Sequence, residues 1–387
     1  MTRADRTALR RGGAALLVGT MAVAAGTRVR TDDPISSSVR FTGEIVRIFE
    51  RKCQPCHDTG GLAMPLTNYG DVRSWGRAIR EEIVEQRMPP WTAARGFGRY
   101  RNDMSLSARE TLTVLSWLDG GMPRGDDRDL PKAAHAEAAP APDLRISLPA
   151  QHVPAREDHV IRRVTVRPEG LDHARAIARV TVTGHRGLLR GALVYEGSDP
   201  ATARWIGAWL PWQRETAPPD GHPLRPARGA PLSVELHYRG GDGETVDEPA
   251  IEVYYADATV KPAMDEIAVT PGRPGAVSRA GAVWAIVPSG APDGSSLQLT
   301  ARRPDGSREI LLWMPHVNAA WPAALLLDQP VSLPAGTTLS LIAHPADPAI
   351  RVRLSVMREA PPAAPPSGAR RTAGPRAGTS TPRRART

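Results

Sequence analysis

Two periodicities divide the chain. Between about residues 36 and 130 apolar positions recur at helical spacing. Phe41, Ile45, Ile48 and Phe49 make one stripe that runs directly into Cys53. Val72, Trp75, Ile79 and Ile83 make a second within 71–87. Ser107-Ala108-Arg109-Glu110 is a capping-box sequence that opens a third helix through Leu112, Leu115 and Leu118, ended by Gly120-Gly121 and Pro123. After an Ala/Pro-rich linker at 131–142 the pattern shifts to short alternating runs. These are 160–166, 178–182, 232–236, 251–255, 282–287, 297–300, 310–313, 338–343 and 351–356, separated by turns such as Arg303-Pro304-Asp305-Gly306. That spacing predicts antiparallel sandwiches, two in tandem at 143–258 and 259–357. The expected fold class is therefore multidomain, a small all-α domain at 36–130 followed by an all-β tandem sandwich module.

Composition supports the many turns of such a module, with 38 Pro and 35 Gly in 387 residues. Charge changes the picture only once it is placed. The net charge of +9 is carried by the two ends, +5 in residues 1–30 and +6 in 358–387, which leaves 31–357 at −2. A basic groove for nucleic acid is not expected. Residues 1–30 carry Arg10-Arg11, an uncharged run from Gly12 to Gly26, and small residues near Val23-Ala24-Ala25. They read as an export signal, too short for a comfortable membrane span. A membrane association is expected only if this leader is retained as an anchor. The tail at 358–387, Pro, Ala, Arg and Thr with almost no large apolar residue, reads as disordered.

The candidate chemistry lies in Cys53-Gln54-Pro55-Cys56-His57, the pattern C-x-x-C-H. Two thiols three positions apart can each add to one vinyl group of a haem, and the histidine that follows can give an imidazole nitrogen to the iron. These are the chain's two cysteines. A redox dithiol would use the same two cysteines, but it needs no histidine at the next position and favours a strand before the motif rather than an amphipathic helix. The motif thus predicts one covalent haem c on Cys53 and Cys56, with His57 as an axial ligand. Export agrees with it, because c-type attachment in bacteria takes place outside the cytoplasm. No histidine occurs between His57 and His135, so the second axial ligand is expected to be a methionine from Met64, Met88, Met104 and Met122. Met88 is preferred, because Pro89-Pro90 stop the preceding helix and lock an extended loop; Met64 is the alternative. Trp75, Tyr69 and Trp91 are candidate pocket walls, and Arg73 and Arg80 candidate propionate partners. In the second part His152, His159, His173, His185, His222, His237, His316 and His344 are scattered, with no H-x-H. No phosphate loop, nucleophile elbow or kinase signature occurs.

The first part resembles the cytochrome c unit fused ahead of bacterial relatives of the copper type II, ascorbate-dependent monooxygenases. The resemblance runs through Cys53 to His57, Pro65-Leu66-Thr67-Asn68-Tyr69, Trp75-Gly76-Arg77-Ala78-Ile79-Arg80, Met88-Pro89-Pro90-Trp91 and Leu115-Ser116-Trp117-Leu118-Asp119-Gly120-Gly121. It implies His57 and Met88 as the axial pair. The second part is similar to that family's sandwich pair at Leu236-His237-Tyr238, at Arg303 to Gly306 with Leu311-Leu312-Trp313, and at Ser332 to Thr337. The family's Pro-His-x-His reads here Pro288-Ser289-Gly290-Ala291, its His-His pair has no counterpart, and its late methionine ligand has no clear match. One imidazole, His237, cannot hold copper alone. The expectation is an exported, periplasmic, monohaem electron-transfer protein that exchanges electrons with a periplasmic redox partner protein. Its β module is then copper-less, serves docking or structure, and has no catalytic residues. The alternative is a copper-dependent monooxygenase fed by the haem.

Overall fold

A computed structural model describes residues 38–132, 140–199, 202–219, 222–256 and 264–358. The proposed leader and almost all of the tail lie outside them. The molecule is mostly antiparallel β-sheet, with a short helical region ahead of it.

A π-helical turn, Phe41–Ile45, leads into α1, Val46–Lys52, and the pair buries Phe41, Ile45, Val46, Ile48 and Phe49. The stripe over 71–87 is not one helix. It is split into α2, Tyr69–Ser74, and α3, Gly76–Val84. Trp75 between them sits at φ −98° and ψ 6°, and the Met122 Sδ lies 2.6 Å from where a side chain at Gly76 would begin. The chain bends there to admit Met122. Trp75 consequently leaves the stripe and is 44% exposed, while Val72, Ile79 and Ile83 stay buried. The third helix, α4, Ala108–Asp119, has the expected capping box: Ser107 Oγ accepts from Glu110 N at 3.1 Å, and Glu110 Oε2 accepts from Ser107 N at 2.8 Å.

Seventeen strands are present among the described residues. In the first sandwich, β1 (Leu144–Ser147), β4 (Ile177–Thr183) and β9 (Ala250–Tyr255) form one sheet in the order β1-β9-β4. The other holds β3 (Val160–Val166), β5 (Leu189–Glu196), β6 (Arg204–Trp209) and β7 (Leu232–Tyr238) in the order β3-β7-β5-β6. A two-stranded ribbon of β2 (Gln151–Val153) and β8 (Thr245–Asp247) lies beside them. The second sandwich pairs β10 (Met264–Val269), β12 (Gly281–Ser289), β15 (Leu325–Leu333) and β17 (Arg351–Met357) as β10-β17-β12-β15. Its other sheet is β11-β16-β13-β14, made of β11 (Gly275–Ala276), β13 (Ser296–Arg302), β14 (Arg308–Met314) and β16 (Thr338–His344). Every alternating run read from the sequence falls within one of these strands. β5, buried at five successive positions, carries no alternation by which to recognise it.

A separate apolar cluster joins the two sandwiches, with Leu193, Tyr195 and Trp205 on one side and Trp284, Val287 and Leu326 on the other. The Trp205 and Trp284 rings lie 5.6 Å apart. Arg353, 2% exposed, crosses this seam, 3.3 Å from Glu266 and 5.1 Å from the Tyr195 ring centre.

The helical region is built into the module as well as linked to it. After α3 the segment 91–104 leaves the helices and runs onto the second sandwich. Ala94 N donates to Trp313 O at 2.7 Å, Tyr100 OH to Leu311 O at 2.9 Å and Arg101 N to Leu326 O at 2.8 Å. Trp91, a candidate pocket wall, packs here against the second sandwich's core instead. Asn102 reaches both sandwiches, donating to Gln213 Oε1 at 2.5 Å and Ala324 O at 2.7 Å. Among the described residues no helix is long and apolar enough to cross a membrane.

The seam makes a direct prediction. Arg353→Ala leaves the Glu266 carboxylate buried without its cation, so it should destabilise the joined sandwiches by about 3–5 kcal/mol in chemical denaturation. A change below about 1 kcal/mol would mean that the pair is solvated.

Candidate haem-attachment site

α1 delivers the motif. Its last turn continues as Cys53 N and Gln54 N donate to Phe49 O at 2.9 and 2.8 Å. Cys56 N and His57 N then both donate to Cys53 O, at 3.1 and 3.0 Å, so one tight turn presents two thiols and an imidazole. The following loop folds back on this turn, with Leu62 N on Cys56 O at 3.0 Å and Leu66 N on His57 O at 2.8 Å. Gly61 is required there, since a side chain would begin 2.7 Å from Cys56 O and 2.5 Å from Asp58 Oδ1.

His57 Nδ1 lies 3.0 Å from Met64 O. A carbonyl can only accept, so Nδ1 carries the hydrogen and the lone pair is left on Nε2. Burial holds the His57 imidazole below its ordinary pKa, partly offset by this hydrogen bond, which favours the neutral, ligating form. Both cysteines are free thiols. Burial pushes Cys53 up to about 12, and burial with the neighbouring Cys53 and Asp58 pushes Cys56 up to about 12. A redox dithiol depends on the opposite shift, a thiolate stabilised in an electropositive, accessible setting.

These residues fit a covalent haem. Two unbonded thiols share a turn with an imidazole whose outer nitrogen is already engaged, the arrangement by which metal-ligating histidines are usually oriented. The methionines are sorted by the same geometry. The Met64 backbone carbonyl stands at the Nδ1 edge of His57, on the side away from Nε2. Met104 is 7% exposed, and the Met122 sulfur packs on Gly76 inside the helical core. Met88 follows α3 with a 37% exposed side chain. Trp75 is exposed too, whereas Tyr69 donates to Met122 O at 3.0 Å in the helical core. Arg80 is paired with Asp119 at 2.7 Å and Arg73 donates to Tyr69 Oη at 3.2 Å.

The loop after the motif is seated on the first sandwich. Asp58 pairs with Arg186, and Arg239 Nη1 donates to Leu62 O at 3.2 Å. A cleft of about 410 Å³ separates Pro55, Asp58 and Leu62 from Arg179, Trp209 and Arg214.

One grouping was not read from the sequence. His159 Nε2 lies 3.1 Å from His237 Nδ1, the two rings are stacked, and His237 Nε2 lies 2.8 Å from Glu235 Oε1. The residues are 78 positions apart and meet because β3 pairs with β7, Ile161 opposite His237, which puts His159 on the diagonal of the same face. Knowledge of that strand pairing was the missing signal; the spacing along the chain contains none. Burial, then His237 and Arg190, hold His159 below its ordinary pKa. Glu235 is held below the usual carboxylate range: burial opposes its charge, but the hydrogen bond from His237 and the nearby Arg163 outweigh it. The count of one imidazole at His237 is therefore corrected to two. They face one another rather than a common point, and among the described residues no three His, Cys, Asp or Glu are grouped to hold a metal ion. At Pro288 to Ala291, Ser289 Oγ accepts from Arg353 Nη1 at 3.0 Å.

No protein-family model matches the chain, and the comparison with curated proteins returns no match.

Titration with copper(II), followed by electron spin resonance, should reveal no tight stoichiometric site on the β module. A stoichiometric signal lost in His237→Ala would overturn this.

Proposed function

We propose that the chain is an exported monohaem c-type cytochrome that passes single electrons to and from a periplasmic protein partner. Its β module, similar to a monooxygenase sandwich pair without the copper ligands, fixes and covers the haem-bearing loop. The observation that carries this reading is the turn of Cys53, Cys56 and His57, with the His57 Nδ1 hydrogen held by the Met64 carbonyl. In that role Cys53 and Cys56 would form the thioethers and His57 Nε2 would hold the iron. A bound haem supplies a one-electron couple, and methionine as second ligand raises its potential. Met88 is the methionine whose side chain is exposed and uncommitted. Met64 is the less favoured candidate, because its backbone carbonyl already engages the Nδ1 edge of His57.

Two experiments test the proposal. In protein expressed with a c-type maturation system, the haem colour should stay with the polypeptide on acid-acetone extraction, and Cys53→Ser or Cys56→Ser should leave it weakly held or absent. Colour that leaves with the solvent from the unaltered protein would end the reading.

The oxidised protein should also show the weak charge-transfer band of methionine on ferric haem. Met88→Ala should abolish that band, lower the potential and let carbon monoxide bind the reduced form readily. If Met64→Ala has these effects and Met88→Ala has none, the axial assignment is wrong.

A further inference from the structure

The histidine pair lies on the same strand end that grips the haem loop. His237, on β7, is two residues before Arg239, which directly follows that strand; Arg239 donates to Leu62 O, while Leu62 N donates to Cys56 O at 3.0 Å. At about 3.3 Å of rise per strand residue, this contiguous path keeps the pair within about 20 Å of Cys56. Arg190 on β5 lies between, donating to the carbonyl of Asp158 beside the pair and interacting electrostatically with both His159 and Cys56.

The hydrogen-bond chain has a direction. Glu235, ionised and paired with Arg163 at 2.8 Å, can only accept, so His237 Nε2 carries a hydrogen. When the pair carries no extra proton, His237 Nδ1 accepts and His159 Nε2 is the donor. One nitrogen lone pair is left over, His159 Nδ1, on a half-buried residue. A proton entering there makes His159 a cation whose charge is relayed through His237 to Glu235. The charged groups around the pair are Glu235 on β7, Arg239 just after that strand, Arg163 on β3, Arg190 on β5, Asp158 beside His159, and Asp293 from the second sandwich.

We propose that His159 and His237 form a redox-linked proton site, which takes up one proton when the neighbouring haem gains an electron and releases it when the electron leaves. The inference rests on the haem reading given above. An external one-electron donor protein supplies the electron, ferric iron becomes ferrous, and solvent supplies the proton. The single bond formed is N–H at His159 Nδ1, and reoxidation reverses both steps. Reduction removes one positive charge near the pair, so the reduced state must hold the proton more tightly. Within about 20 Å across a protein interface that difference is about half a pH unit, or roughly threefold in proton affinity.

The test uses the full haem-loaded protein. Ring C–H resonances of His159 are followed by NMR against pH in the oxidised and the reduced state, and the midpoint potential is measured over the same range. His159 should titrate on the acid side of 6.5, about half a unit higher when reduced. The potential should be flat above that range and rise as pH falls through it. His159→Asn keeps a donor to His237 and so preserves the fold, yet it should remove this segment of the profile. Equal His159 titration in both states, or an unchanged profile in His159→Asn, would overturn the inference while leaving the covalent haem standing. Absence of covalent haem would bring down both.

Discussion

The hydrogen bond between His57 Nδ1 and the Met64 carbonyl is the constraint on which the candidate site depends. It selects one tautomer and leaves the Nε2 lone pair free. Its geometry in turn depends on the loop 58–66 closing tightly, which the contacts of Leu62 with Cys56 and of Leu66 with His57 enforce. The same loop is gripped from outside by Asp58 with Arg186 and by Arg239 with Leu62. The orientation of one imidazole is thus tied through backbone to the first sandwich. Metal ligands are commonly fixed by such outer contacts, and on the proposed reading some of those behind His57 come from the β module.

The two parts share structure at two places. The motif loop sits on the first sandwich, and 91–104 pairs along β15 and sends Tyr100 into the second sandwich's core. On the proposed reading, electron exchange with a partner therefore takes place from a face that the β module leaves open. Trp75 and Met88 in the helical region keep exposed side chains, at 44% and 37%.

Much of the fold could be read locally. The Ser107 capping box and the strands of period two depend on near neighbours, so the pattern sufficed. Where long-range packing decides, it did not. The break at Trp75 comes from Met122, 46 or more residues away, pressing on Gly76. Trp91 turned to the second sandwich because the segment carrying it pairs with β14 and β15. The turn that brings Cys53, Cys56 and His57 together could be anticipated because its residues are contiguous in the chain. The His159–His237 pair was hidden because only the register of β3 on β7 creates it.

The segment Pro288 to Ala291 is tied into the packing between the sandwiches. Where the resemblance expects an imidazole, Ser289 accepts from Arg353, which pairs with Glu266 in its own sheet and reaches across the seam to the Tyr195 ring. Burial raises the Glu266 pKa, against the pull of the Trp205 amide and Arg353, so the seam keeps a charged pair only because several partners satisfy it together. Restoring histidine at 289 alone would take a hydroxyl from Arg353 and put an imidazole beside a buried guanidinium, which disfavours a bound cation electrostatically. The local charge at this position therefore serves the joining of the sandwiches, and a metal site there would require rebuilding the seam as well as the ligands.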